Sequence, residues 1–266
     1  MFTIATDGYG AFVLNLHASL ARLGLERELM VYSLDAAVHE TLLAAGVRSI
    51  PYAAGARPAC SPFGSHEFGQ TMAYKYAIAL DVLHAGRLAY YVDSDIVFLR
   101  DPTEHLHGIL GQTRADLVMQ IEAPMQVYNA GFWIARPTAA ARDLFAALCA
   151  AIRNAGEYVD DQKTINRWIK EEKRVQAQPL DPKLFACGNQ FLGGMPLEQG
   201  GWHVDHPADP FQIASAYVLH FNFLTTREQK AAAMVRHRVV FHPSVRSLRP
   251  GWRRWFGRLE RSWKCR

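Results

Sequence analysis

Short apolar runs alternate along this chain with segments whose apolar residues recur at helical spacing. "FTIAT" (2–6) reads as a strand. Val13, Leu16, Leu20 and Leu23 then share one helical face, and Gly24 supplies a stop. "ELMVYSLD" (28–35), "AAVHETLLAAG" (36–46) and "VRSIPY" (47–52) continue as strand, helix and strand. This alternation predicts a parallel α/β sheet with helices on its faces. A loop rich in Pro, Gly and Ser follows (56–70), then a helix over Phe68–His84 closed by Gly86, then a buried strand "RLAYYV" (87–92). Beyond Pro102 the pattern predicts a short helix, a strand "ADLVMQIE" (115–122) and a β segment "YNAGFWIAR" (128–136). Helices over Thr138–Asn154 and Asp161–Lys173 follow, and then a strand-like "AYVLHFNF" (216–223). There is no internal repeat, no low-complexity segment and no linker before about residue 245.

The fourth strand ends in "YYVDSDIVFLRDP", which presents Asp93 and Asp95 one residue apart. Residues i and i+2 of a strand face the same way. In open α/β sheets, ligands bind beyond the carboxyl ends of the strands. Two like charges so close call for a positive group between them. Paired hard oxygen ligands suit Mg²⁺ or Mn²⁺, ions that commonly accompany substrate phosphates. A solvated turn or a helix N-cap explains the same residues without any ligand. "DSDIV" also fits the DxDx[TV] signature of haloacid-dehalogenase-like phosphatases, with Asp93 as nucleophile and "VDDQ" (159–162) as a later acidic pair. That family places its nucleophile after the first core strand, whereas three strand–helix units precede Asp93 here.

Composition narrows the classes further. Half of the 266 residues are hydrophobic, a fifth are charged, and no apolar run is long enough to span a bilayer. The opening "MFTIATDGYG" lacks a basic, then long apolar, leader pattern and reads as a strand. Of the net charge of +4, residues Arg246–Arg266 contribute eight basic side chains against the single acid Glu260, or +7, which leaves −3 for the body. That balance argues against a nucleic-acid surface on the body. Cys60, Cys149, Cys187 and Cys265 show no metal-ligand spacing and read as reduced thiols.

The ordered set "TDGYGAFVLNLHASLARLG", "MVYSLD", "YKYAIALDVLHAG", "VDSDIVFLRDP", "YNAGFWIARPT", "DDQKTIN" and "LHFNF" resembles the nucleotide-diphospho-sugar transferase family of glycosyltransferases over roughly residues 2–230. The resemblance implies a GT-A fold, a single-domain α/β protein with a Rossmann-like mixed sheet and helices on both faces. The implied domain takes in residues 1–245, with a nucleotide-binding half of about 1–102 and an acceptor half of about 103–245. The resemblance implies Mn²⁺ (or Mg²⁺) on Asp93, Asp95 and His220, with Asp95 the direct ligand and Asp93 on the metal or the ribose. It implies a nucleotide-sugar donor, a UDP-sugar, and a glycan or other hydroxyl acceptor. Asn129 then faces the donor sugar, with Gly131 permitting close backbone approach. Asp161 and Gln162 fall at the family's Asp-Gln, with one of Asp160 and Asp161 serving as a helix cap. Thr6, Asp7 and Tyr9 fall where such folds meet nucleobase and ribose, with Asp35 after the second strand. Ser94 lies between the two acids, and Lys75 and Lys230 are candidates for the diphosphate. "LHFNFLTTREQK" lacks the Gly that relatives carry after HxN, which puts Lys230 in question. A retaining course is carried over by analogy alone. An acid-nucleophile phosphohydrolase and a non-catalytic nucleotide-sugar-binding protein remain as alternatives.

In the tail, Trp252, Trp255, Phe256, Leu259 and Trp263 fall on one helical face with arginines elsewhere. A basic, tryptophan-bearing helix reads either as an anchor on an anionic membrane through residues 251–266, or as a helix packed on the acidic body. The reduced thiols point to a cytoplasmic protein, and the first reading of the tail adds a peripheral place on the inner face of a membrane.

Overall fold

The computed structural model describes residues 1–52, 61–62, 64–123, 125–192 and 210–248, the side chains of 210–212 excepted. The tail motif, Cys60 and Cys265 lie outside the described residues, as does much of the Pro/Gly/Ser-rich loop.

The first half is built as the alternation predicts. It runs β1 (Phe2–Ala5), α1 (Gly10–Ala21), β2 (Met30–Ser33), α2 (Ala36–Ala44), β3 (Ser49–Pro51), α3 (His66–His84) and β4 (Ala89–Val92). Local chemistry sets the helix starts. Asp35 and Ser65 cap α2 and α3 by accepting from the N–H groups of Val38 and Phe68. The Ser65 cap starts α3 two residues before the position that apolar spacing gives. After β4 come β5 (Ile96–Phe98), α4 (Thr103–Gln112), β6 (Leu117–Glu122), β7 (Val127–Ala135), α5 (Ala139–Asn154) and α6 (Asp161–Asn166). The predicted helix over 161–173 is regular only to Asn166 and then widens into a π turn, Arg167–Glu171. β8 (Ala177–Pro179), β9 (Phe185–Cys187), α7 (Gly188–Phe191), α8 (Pro210–Ser215), β10 (Val218–His220), α9 (Arg227–Arg236) and α10 (Ser244–Ser247) complete the described chain.

Seven strands form one sheet in the order β3-β2-β1-β4-β7-β6-β8. The β3-β2-β1-β4 part is parallel, and β7 runs antiparallel to both β4 and β6. The sheet is therefore mixed, and it runs through both the 1–102 and 103–245 segments. A second sheet, β5-β10-β9, carries His220 at the end of β10 to a point opposite the turn after β4. On one face of the large sheet, α3 packs with α5 over Tyr76, Tyr91, Trp133 and Phe145. Each of these side chains is almost fully buried and each contributes about 1.5–3 kcal/mol by leaving water. This cluster fixes the helix and strand ends from which the polar residues of the next section project.

Candidate active site

A cavity of about 920 Å³ opens at the carboxyl ends of β1 and β4, where strand topology places ligands. Thr6, Tyr9, Lys75, Asp93, Ser94, Asp95, Asn129, Gly131, Asp161, Gln162, His220 and Lys230 all line it. Of the candidates named from sequence, Asp7 and Asp35 are not among its lining residues. Asp35 accepts from the Asp7 N–H at 2.7 Å with one oxygen and caps α2 with the other, so its carboxylate is engaged in local structure.

Asp93, Asp95 and His220 bring one ligand atom each to within 4.8 Å of one another. His220 Nε2 stands 3.5 Å from Asp93 and 3.3 Å from Asp95. The ring is oriented by Gln120. Gln120 Nε2 donates to the Phe185 carbonyl, so its Oε1 faces His220 Nδ1 at 3.0 Å and accepts a hydrogen bond from the Nδ1–H. Nε2 of the neutral ring is then a lone pair aimed at two carboxylates, an arrangement satisfied by a proton or by a cation between them. Burial lowers the His220 pKa, but Asp95 and Asp93 more than offset this and hold it well above the usual histidine value. Burial likewise pushes Asp95 up, but Lys230 and His220 beside it hold the carboxyl below its ordinary range. Gly131 leaves room for the cluster, because a Cβ there would lie 2.2 Å from Asp93 Oδ2 and 2.4 Å from His220 Cε1. Two carboxylates, one correctly turned imidazole and a cradle without a side chain fit a Mn²⁺ or Mg²⁺ ion.

Neither lysine is a solvated charge. Lys230 donates to Asp95 and, at 3.0 Å, to the Phe221 carbonyl. The missing Gly after "HFN" therefore does not remove it from the site: α9, started by a Thr226–Gln229 capping box, delivers it. Lys75 pairs with Asp161 at 2.6 Å and donates to the Ala130 carbonyl at 3.3 Å. Asp161 also accepts from the Tyr76 hydroxyl at 2.6 Å and from the Gln162 N–H at 2.9 Å. Burial raises Asp161, yet Lys75 and these donors hold its pKa below the usual value. Asp160 is the cap of α6.

The sequence reading passed over Gln120, Glu122 and Asn222. A signal was present, since Gln120 and Glu122 are alternate residues of an otherwise apolar strand and so share one face. Between the pairs Met119–Trp133 and Ile121–Tyr128, β6 carries Gln120 alone while β7 carries residues 129–132. That irregularity pushes Asn129, Ala130 and Gly131 toward the cavity. Glu122 Oε1 accepts from Asn129 at 2.8 Å, Gln162 at 3.1 Å and Asn222 at 3.2 Å. Burial pushes the Cys187 thiol, beside His220, up to about 11. Cys149 is also a free buried thiol.

The architecture is that of solved glycosyltransferases. Galactosyltransferase LgtC, solved with donor and acceptor sugar analogues, superposes with a TM-score of 0.51 at 15% identity, covering 95% of this chain and 98% of that one. Mouse xyloside xylosyltransferase 1 gives 0.53 at 12% identity, covering 85% and 98%. GlyE of Streptococcus pneumoniae gives 0.50 at 15% identity, covering 93% of this chain and 61% of its own. At such identities the likeness is one of fold, and the fold is GT-A. No curated protein matches the sequence significantly. A sequence model of the nucleotide-diphospho-sugar transferases matches residues 24–234. The chain belongs to the nucleotide-diphospho-sugar transferase family, and "DSDIV" is part of a glycosyltransferase rather than a phosphatase.

Proposed function

We propose that this protein transfers a sugar from a UDP-sugar to a hydroxyl of a glycan acceptor, with a divalent cation held by Asp93, Asp95 and His220. The observation that carries the reading is the convergence of these three side chains, with His220 Nε2 turned toward both carboxylates by Gln120, at the edge of a cavity of about 920 Å³. When bound, the cation supplies positive charge against the departing diphosphate. Lys230, bonded to the same Asp95, adds a second positive charge for the phosphates. Thr6 and Tyr9 line the part of the cavity proposed for the nucleoside. Asn129, Asp161 and Gln162 line the part of the cavity proposed for the sugar. Asp161 is engaged by Lys75, Tyr76 and the Gln162 N–H and is held ionised, which makes it a poor base for activating an acceptor hydroxyl. That supports a retaining course.

Thermal melting with a panel of nucleotide diphosphates and nucleotide sugars, with and without Mn²⁺, tests the proposal. Uridine nucleotides are expected to raise the melting temperature in a Mn²⁺-dependent way, because a ligand bound only by the native state stabilises it. Free UDP is then released on adding an acceptor. A Mn²⁺-independent response, or one to no uridine nucleotide, would reject it. Residues 251–266, by their sequence, are proposed to meet an anionic membrane surface from the cytoplasmic side. Their deletion is expected to abolish sedimentation with anionic vesicles and to leave turnover of a soluble acceptor intact.

A further inference from the structure

We infer that Glu122 is the positioning residue of this site: one oxygen of its buried carboxylate orients the carboxamides of Asn129, Gln162 and Asn222. The inference rests on the glycosyl-transfer reading for its consequence in catalysis but not for its geometry.

Each of the three amides is pinned at both ends by groups whose chemistry is unambiguous. Asn129 Oδ1 accepts from the Gly131 backbone N–H at 2.8 Å, Gln162 Oε1 from that of Ala130 at 3.1 Å, and Asn222 Oδ1 from that of Gly188 at 2.6 Å. A backbone N–H requires an acceptor, so these atoms are oxygens. The opposite end of each amide is then NH₂, and all three NH₂ groups point to Glu122 Oε1. Asn129, Gln162 and Asn222 come from β7, α6 and the segment after β10, so a single carboxylate on β6 aligns three separately positioned elements.

The alignment also fixes what Gln162 can offer a substrate. Its oxygen accepts from both Asn129 Nδ2 and the Ala130 N–H, each at 3.1 Å, so both lone pairs are in use. Nε2 gives one hydrogen to Glu122 and keeps a second on a side chain that lines the cavity. Gln162 is thus presented as a hydrogen-bond donor and not as an attacking oxygen. Burial raises the Glu122 pKa more than the amide donors lower it, so ionising this carboxylate costs stability rather than adding to it.

Glu122→Gln keeps the shape and removes the charge. In this variant the side-chain NH₂ resonances of Asn129, Gln162 and Asn222 are expected to shift in a ¹⁵N spectrum while those of buried Asn15 stay in place. Affinity for UDP with Mn²⁺ is expected to stay within about twofold, the melting temperature not to fall, and kcat to drop about tenfold or more. The double variant Glu122→Gln/Gln162→Ala is expected to lose less than the product of the two single losses, because coupled residues are not additive. Unmoved amide resonances, wild-type kcat or fully additive losses would overturn the assignment. If Glu122→Gln does not fold, Gln162→Glu serves instead. It sets a second carboxylate against Glu122, so its rate should climb as pH falls from 8 to 6 more steeply than the wild-type rate. A profile parallel to wild type would overturn the inference. A wild-type protein that binds no uridine nucleotide would reject the transferase reading and leave the resonance test of Glu122 standing.

Discussion

Asp95 and Glu122 face the same cavity, are 5% and 6% exposed, and are kept buried by opposite means. Asp95 is flanked by Lys230 and His220, which hold its pKa down against burial. Glu122 is surrounded by neutral amides, and burial wins, so its pKa is raised. Asp161, against Lys75, repeats the first solution. A carboxylate ringed by cations is ionised at any working pH and serves as charge. One ringed by amides has a charge only loosely held, and its use is to fix geometry. The cavity thus has one wall built for charge and another built for orientation.

The largest effect is expected where charge is the function. Asp95→Asn should lower Mn²⁺-dependent transfer on the order of 10²-fold or more. The fold should survive, because Asn can still accept from Lys230. Transfer rates with Mn²⁺ and with EDTA check this, and a fully active variant would mean that the charged wall does no chemistry. Next comes Lys75→Met, which leaves Asp161 buried without its cation. Removing one partner of such a pair costs about 3–5 kcal/mol. Chemical denaturation should show that loss and should show most of it recovered in Lys75→Met/Asp161→Asn. If the single variant is as stable as wild type, Asp161 is not held by charge. Gly131→Ala is milder in stability, about 1–3 kcal/mol for overpacking. It is also selective, since its methyl group would strike Asp93 and His220 on the charged wall. Calorimetry should show weaker Mn²⁺ binding while the ¹⁵N resonances of Asn129 and Gln162 stay near their wild-type positions.

The two walls also differed in how far the sequence disclosed them. Asp93 and Asp95 stood out because charges break an apolar run at a strand end, and His220 because it sits in a later apolar strand of an ordered motif set. The parallel half of the sheet followed from alternating runs of ordinary length. The orientation wall was harder to read. Its parts, Glu122, Asn129, Gln162 and Asn222, are spread over 100 residues, and a lone Glu closing a strand is common. Only the irregular pairing of β6 with β7 brings Asn129 to Glu122, and register shifts of that kind leave no mark on hydrophobic periodicity. The same limit applies to β5 and β9, three residues each, whose partner β10 is distant in sequence. Lys75 and Lys230 were legible as candidates for the diphosphate, but helix position alone does not reveal the buried acids, Asp161 and Asp95, that they face.

The smallest expected effect is on stability against pH, and it separates the walls by sign. Asp161 has a folded-state pKa below its ordinary 3.8, so the stability it contributes is complete above that value and is lost as pH falls through it toward the folded pKa. Wild type should therefore lose its advantage over Lys75→Met/Asp161→Asn as the solution is acidified past 3.8. Glu122 has a folded-state pKa above its ordinary 4.5, so its ionised form costs stability at neutral pH, and that cost disappears as pH falls through the folded pKa to 4.5. Wild type should accordingly gain on Glu122→Gln over that window. Melting temperatures of the three proteins between pH 7 and pH 3 give both differences in one experiment. Slopes of opposite sign keep the two walls distinct. Parallel slopes would mean that Glu122, like Asp161, is held by a cation, and the amides around it would then be passengers.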